Sequence, residues 1–139
     1  MMKTNLFLGL SLTLLLFSGC GDKVGLGGKV TFSDDGSPLV TGTVCFETDT
    51  YLARGTLKPD GSYVVGSLSE KDGLPPGNYR VYISGAEKEI GQDREGMAIM
   101  EPLIDAKFAS GSTSELSLEV TSSTKTFDIK VDRYVPTKK

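Results

Sequence analysis

Histidine is absent from the 139 residues, and cysteine occurs only at Cys20 and Cys45. Imidazole is the usual general base near neutral pH and the commonest metal ligand. Its lack excludes Ser-His-Asp and Cys-His nucleophile systems and leaves carboxylate pairs and oxygen-ligand metal sites. Positive charge is also scarce: the formal net charge is −3 and no basic patch stands out. Binding to a nucleic-acid backbone therefore lacks its electrostatic driver. No apolar run reaches the ~20 residues that a membrane-spanning helix needs.

The longest apolar stretch, residues 6–17, has instead the length of a signal-peptide hydrophobic region, with Lys3 before it and the small residues Ser18 and Gly19 after it. Leu16-Phe17-Ser18-Gly19-Cys20 resembles the bacterial lipobox. That resemblance implies cleavage before Cys20 and a diacylglyceryl group on its thiol, which would anchor the chain to a cell-envelope membrane, inner or outer. The expected division is a signal peptide at 1–19, a lipid-anchored flexible linker at 20–27, one domain at 28–133 and a polar tail at 134–139. Seven flexible residues after Cys20 would span about 15 Å and keep the domain close to the bilayer. An ordinary secretory leader with Cys20 as a bystander thiol is the alternative. With Cys20 lipidated, Cys45 has no intramolecular partner and reads as a small, partly buried thiol on a strand; a redox role or an intermolecular disulfide is the other reading.

What remains is of single-domain size. The composition is that of an all-β protein, with 17 Gly and 6 Pro punctuating short runs rich in Val and Thr. Alternation of apolar and polar residues predicts strands at 28–33 (Val30 and Phe32 on one face), 39–48 (Val44 and Phe46 inward, Thr43, Cys45 and Glu47 outward), 51–57, 62–68 (Tyr63, Val65), 78–84 (Tyr79, Val81, Ile83), 103–108, 115–121 (Leu116, Leu118, Val120) and 126–132 (Phe127, Ile129, Val131). Lys58-Pro59-Asp60-Gly61 has the chemistry of a hairpin turn, proline setting the first dihedral and glycine taking the left-handed one. Seven or eight short strands with frequent turns predict an antiparallel β-sandwich.

Residues 86–101 break this rhythm. Glu87, Lys88, Glu89, Asp93, Arg94, Glu95 and Glu101, with two glycines and no sustained alternation, predict a long exposed loop. Loops of this length are either functional or simply disordered, so Glu87, Lys88, Glu89, Asp93, Arg94 and Glu95 form the candidate interaction site. Asp34, Asp35, Glu47, Asp49, Asp60 and Asp72 fall at or near predicted turns; turn formation explains them, with Ca²⁺ binding as the alternative.

The runs Gly28-Lys29-Val30-Thr31-Phe32, Asp35-Gly36-Ser37-Pro38-Leu39 and Gly42-Thr43-Val44-Cys45-Phe46, followed by Asp60-Gly61-Ser62-Tyr63 and Leu74-Pro75-Pro76-Gly77-Asn78-Tyr79-Arg80-Val81, resemble carboxypeptidase regulatory-like, transthyretin-like domains. Small lipoproteins of this kind, numerous in planctomycetes and related bacteria, have a C-terminal pattern similar to residues 102–129. The resemblance implies a prealbumin-like sandwich with no catalytic residues to carry over. The expectation is a non-catalytic envelope module, without cofactor or metal, meeting the membrane through Cys20 and an envelope protein or polysaccharide through its surface. The alternatives are a small-ligand or carbohydrate-binding module and a hydrolase built on two carboxylates.

Overall fold

The computed structural model describes residues 23–66 and 72–138; the predicted leader and Cys20 lie outside them. Nine strands and one short 3₁₀ turn follow in order among the described residues: β1 (Gly27–Phe32), β2 (Thr43–Glu47), β3 (Leu52–Thr56), β4 (Ser62–Val64), β5 (Gly77–Ser84), β6 (Glu87–Gln92), β7 (Ala98–Pro102), the 3₁₀ turn Ala106–Phe108, β8 (Ser117–Val120) and β9 (Ile129–Val131). Seven of them form a sandwich, with one sheet ordered β4-β1-β9 and the other β3-β2-β5-β8. The all-β sandwich expected from the alternation is present. Its ladders are antiparallel except that between β1 and β9, which is parallel.

Alternation places the core as predicted. Val30, Phe32, Tyr63, Ile129 and Val131 from one sheet meet Val44, Phe46, Ala53, Tyr79, Val81, Ile83 and Val120 from the other, all buried. Phe46 sits at the centre, its ring centroid 6.1 Å from Tyr63, 6.4 Å from Tyr79 and 6.3 Å from Phe127. Offset and edge-to-face contacts at these separations add to area burial. Two phenols of the core are satisfied by backbone, Tyr63 donating to the Phe127 carbonyl and Tyr79 to that of Pro75 at 2.7 Å, whereas the buried Tyr51 hydroxyl has no hydrogen-bond partner among the described residues. Burial pushes the Tyr63 hydroxyl well above its ordinary pKa, so it stays a donor.

Several expectations are corrected. Residues 86–101 are not an irregular loop but the β6–β7 hairpin. Its strands bury no face, so selection for alternation is relaxed and the periodic signal is lost. Residues 103–108 are not a strand: after the single bridge of Ile104 to Arg133, Asp105 accepts from the Lys107 N–H and caps the 3₁₀ turn, an option short acidic side chains offer the backbone. The Lys58-Pro59-Asp60-Gly61 turn forms, with the Lys58 N–H bonded to the Ser62 carbonyl at 2.9 Å, yet the strands it joins do not pair along their length. β3 pairs with β2 and β4 with β1, and among the described residues the two segments are bridged only at the isolated pair of Arg54 and Gly66.

Of the linker expected at 20–27, the described residues from Lys23 on are held to the domain. Val24 and Leu74 exchange both backbone hydrogen bonds, at 2.7 and 3.0 Å, Lys23 pairs with Asp72 at 3.2 Å, and Leu26 is buried in the core. Leu26 carries the apolar area that holds this segment down. Cys45 lies on the outer face of its sheet, as alternation requires, but it is buried: its register partners Arg54 and Tyr82 flank it and Ser84 Oγ is 3.7 Å from its sulfur. At the other terminus the Tyr134 N–H bonds the Leu103 carbonyl at 3.1 Å, so the tail starts tied to the domain.

Gly28 marks the tightest approach at any of the described glycines. A Cβ there would lie 2.1 Å from the Phe127 carbonyl oxygen and 3.0 Å from the Tyr63 hydroxyl. Gly28→Ala is expected to cost about 1–3 kcal/mol through overpacking, and Tyr63→Phe about 1–3 kcal/mol by leaving a buried carbonyl without its donor. Gly25→Ala, where a Cβ meets nothing within 4 Å, should change stability by under about 0.5 kcal/mol. Urea melts of the three variants decide whether this approach is as critical as its geometry implies.

Candidate functional site

β5 sets the axis along which the surface is organised. It starts at Gly77, three residues after the Leu74 that bridges Val24, and ends at Ser84, three residues before β6 begins. Its eight residues cover about 26 Å at ~3.3 Å per residue. Val24 and the hairpin root therefore occupy opposite ends of the sandwich. At the hairpin end, Leu103 N–H bonds the Ala86 carbonyl and Asp105 N–H that of Asp132, fastening the return of β7 to the domain.

The six candidate residues all lie on this hairpin. Glu87, Lys88 and Glu89 are on β6, exposed throughout, and Lys88 reaches across to Glu101 on β7 at 3.1 Å. Asp93 makes the turn: its Oδ1 accepts from the N–H groups of Glu95 at 2.9 Å and Met97 at 2.8 Å, its own N–H bonds the Met97 carbonyl, and Gly96 N–H returns to the Asp93 carbonyl. Gly96 has φ +83°, a left-handed conformation that favours glycine. Asp93 is thus a structural turn residue, while Arg94 and Glu95 stand at the tip.

The sequence reading named only charges and missed the apolar side chains between them. Ile90 is 54% exposed, Met97 66%, Ile99 43% and Met100 48%. They are four of the seven large hydrophobics exposed among the described residues, the others being Val40, Tyr134 and Val135. The run Met97-Ala98-Ile99-Met100 was the available signal: a short uncharged apolar stretch that the predicted sandwich core had no place for. Below the hairpin lies an open cavity of about 250 Å³, lined chiefly by Ile83, Ala86, Pro102, Ile104 and Tyr134. That is smaller than the ~300–1,000 Å³ of ordinary small-molecule pockets.

The turn acids are occupied within the protein. Asp35 accepts from Ser37 and, with Asp34, holds Arg133 at 3.0 and 2.7 Å, and the guanidinium lies over the Phe32 ring at 3.8 Å. Asp60 accepts from Ser62, Asp72 pairs with Lys23, and Glu47 and Asp49 share Arg80 at 3.8 and 3.3 Å. Of these contacts, those of Asp35 with Ser37 and of Asp60 with Ser62 are local turn bonds. The Ser37 hydroxyl and N–H, with Arg133 beside them, hold the Asp35 carboxyl down to about 2. Lys107 and Ser33 lower Asp132.

No family model matches this sequence, and no curated protein is significantly similar to it. Solved structures match over about four-fifths of the chain. A DUF3823 family protein from Bacteroides ovatus is 19% identical, with a TM-score of 0.47 over 81% of this chain and 45% of its own. The major pilin subunit of Bacillus cereus is 7% identical, with a TM-score of 0.45 over 80% of this chain and 30% of its own. A 9R-lipoxygenase from Cyanothece is 16% identical, with a TM-score of 0.40 over 84% and 18%. The chain spans less than half the length of each.

A carboxyl whose pKa falls on folding contributes stability above its unfolded value, here 3.8, and loses that contribution as pH falls through its folded value. Loss of the Asp35 contribution should therefore make the domain less stable between about pH 4 and 2, and Asp132 acts in the same direction as pH falls below 3.8. Asp35→Asn should flatten this acid limb in thermal melts taken from pH 6 to pH 2. An unchanged limb would mean that other carboxylates govern acid sensitivity.

Proposed function

We propose that this chain is a non-catalytic, membrane-anchored module of the bacterial cell envelope that presents the β6–β7 hairpin to an envelope partner. The finer family reading, a transthyretin-like lipoprotein related to carboxypeptidase regulatory domains, belongs to this proposal and rests on the motif order within the sequence. One observation carries it: the hairpin that concentrates exposed apolar and charged side chains stands at the end of the sandwich opposite Val24. Val24 is only four positions beyond Cys20. At ~3.5 Å per residue such a segment reaches at most about 14 Å, so an acylated Cys20 would set the Val24 end against the bilayer and leave the hairpin facing away from it.

A surface of this kind suits a macromolecule better than a small ligand. The cavity at the hairpin root is small and open, whereas the hairpin offers a protruding apolar surface rimmed by charge, the usual mark of an interaction site.

Two variants test the proposal separately. Cys20→Ser should release the protein from the membrane fraction and abolish acyl-chain labelling while the melting temperature stays unchanged. Replacing residues 87–101 with a short Gly-Ser connection should shift the melting temperature by only a few degrees, since the hairpin adds nothing to the core, and should remove cross-links formed in intact cells. Membrane association without acyl label would defeat the anchor, and cross-links that survive the replacement would defeat the hairpin as contact surface.

A further inference from the structure

The two edges of the hairpin are not alike. β6 has Glu87, Lys88 and Glu89 along it and an irregularity between Glu89 and Gly91, where Ile90 is the extra residue. Charge and a bulge are the two common devices that keep an edge strand from pairing with another chain. β7 has neither over Ala98, Ile99 and Met100, and its ladder has no irregular residue of its own.

The hydrogen-bond parity of β7 follows from its two ends. The Met97 carbonyl accepts from Asp93 N–H, and Leu103 N–H donates to the Ala86 carbonyl. In an antiparallel ladder successive residues turn their N–H and C=O to opposite sides. The odd-numbered residues of this strand therefore face β6, and Ala98 and Met100 direct N–H and C=O outward. The next outward position is Pro102, which has no N–H and closes the edge. What remains is a short open template with exposed Ile99 and Met100 beside it.

We infer that the β7 edge receives an extended cationic segment of another protein, with alternating apolar and basic side chains, as a third strand of the hairpin sheet. Strand addition draws its affinity from main-chain hydrogen bonds and its selectivity from the flanking side chains. Here those side chains are apolar with an acidic surround: Glu87, Glu89, Asp93, Glu95 and Glu101 against only Lys88 and Arg94. A second copy of this chain would bring the same acidic excess to the contact, which like-charge repulsion disfavours. A basic strand meets complementary charge. The inference rests on the hairpin being the contact surface proposed above and adds the mode of contact and the chemistry of the partner.

The test uses the full chain in detergent and two fluorescein-labelled octapeptides, one alternating Lys and Val, the other Glu and Val. The Lys-Val peptide should raise anisotropy and slow hydrogen exchange at the Ala98 and Met100 amides, with at least about tenfold weaker binding of the Glu-Val peptide. Ala98→Pro removes one outward N–H without taking a donor from the β6 ladder, and should weaken the Lys-Val peptide about tenfold. If that variant disturbs the hairpin, the pair Glu89→Lys and Glu95→Lys leaves the backbone intact and should reverse the order of the two peptides. Protection at other strands, equal binding of both peptides or a charge-reversed protein that still prefers the Lys-Val peptide would overturn the inference. Sedimentation showing a dimer with Ala98 and Met100 protected in the absence of peptide would overturn it in favour of a second copy. Cross-links in cells that vanish when residues 87–101 are replaced but persist in Ala98→Pro would retain the hairpin as contact surface and reject its β7 edge alone.

Discussion

The meeting of three chain segments at Gly28 is the constraint on which the sandwich depends. β1 lies between β4 and β9, and without a side chain at Gly28 the Phe127 carbonyl can approach its backbone while the Tyr63 hydroxyl donates to that carbonyl. The same two residues, Tyr63 and Phe127, pack their rings against Phe46 of the opposite sheet. A missing side chain, a buried hydrogen bond and an aromatic cluster thus form one contact. It joins the sheets to each other and brings the C-terminal strand alongside the N-terminal one.

That parallel pairing divides the surface into two ends with different chemistry. At one end Val24, Leu26 and Leu74 hold the chain from Lys23 onward to the domain. At the other, Arg133 bridges Asp34 and Asp35 while Lys107 bridges to Asp132. Exposed pairs of this sort contribute little individually. Their role here is local: they orient the turn after β1 and the segment after β9 beside the hairpin root.

The hairpin belongs to the fold by covalent continuity and a few backbone bonds rather than by buried area. An isolated two-stranded ribbon is marginal in water, and β6–β7 relies on the Asp93 turn, the Lys88–Glu101 pair and the fastening of Leu103 to Ala86. Its apolar side chains lie outside the core and leave about half or more of their surface in solvent. Their exposure is therefore a cost that the fold itself does not explain, and this separates the hairpin from the rest of the surface.

The sequence by itself determined the all-β class, the inward residues of β1, β2 and β5, and the turn at Lys58-Pro59-Asp60-Gly61, because alternation and turn chemistry act over a few residues and need no knowledge of partners. It also located the unusual segment at 86–101, though as a loop, since strands that bury no face leave no periodic signature. Only the tertiary structure decided that β3 and β4 part into different sheets, that β1 and β9 pair in parallel, that Leu26 joins the core with Val24 packed against it, and that Val24 and the hairpin stand at opposite ends. Each of those depends on contacts between residues far apart in the chain, and which pairings bury the most apolar surface is a property of the whole assembly of strands rather than of any one of them.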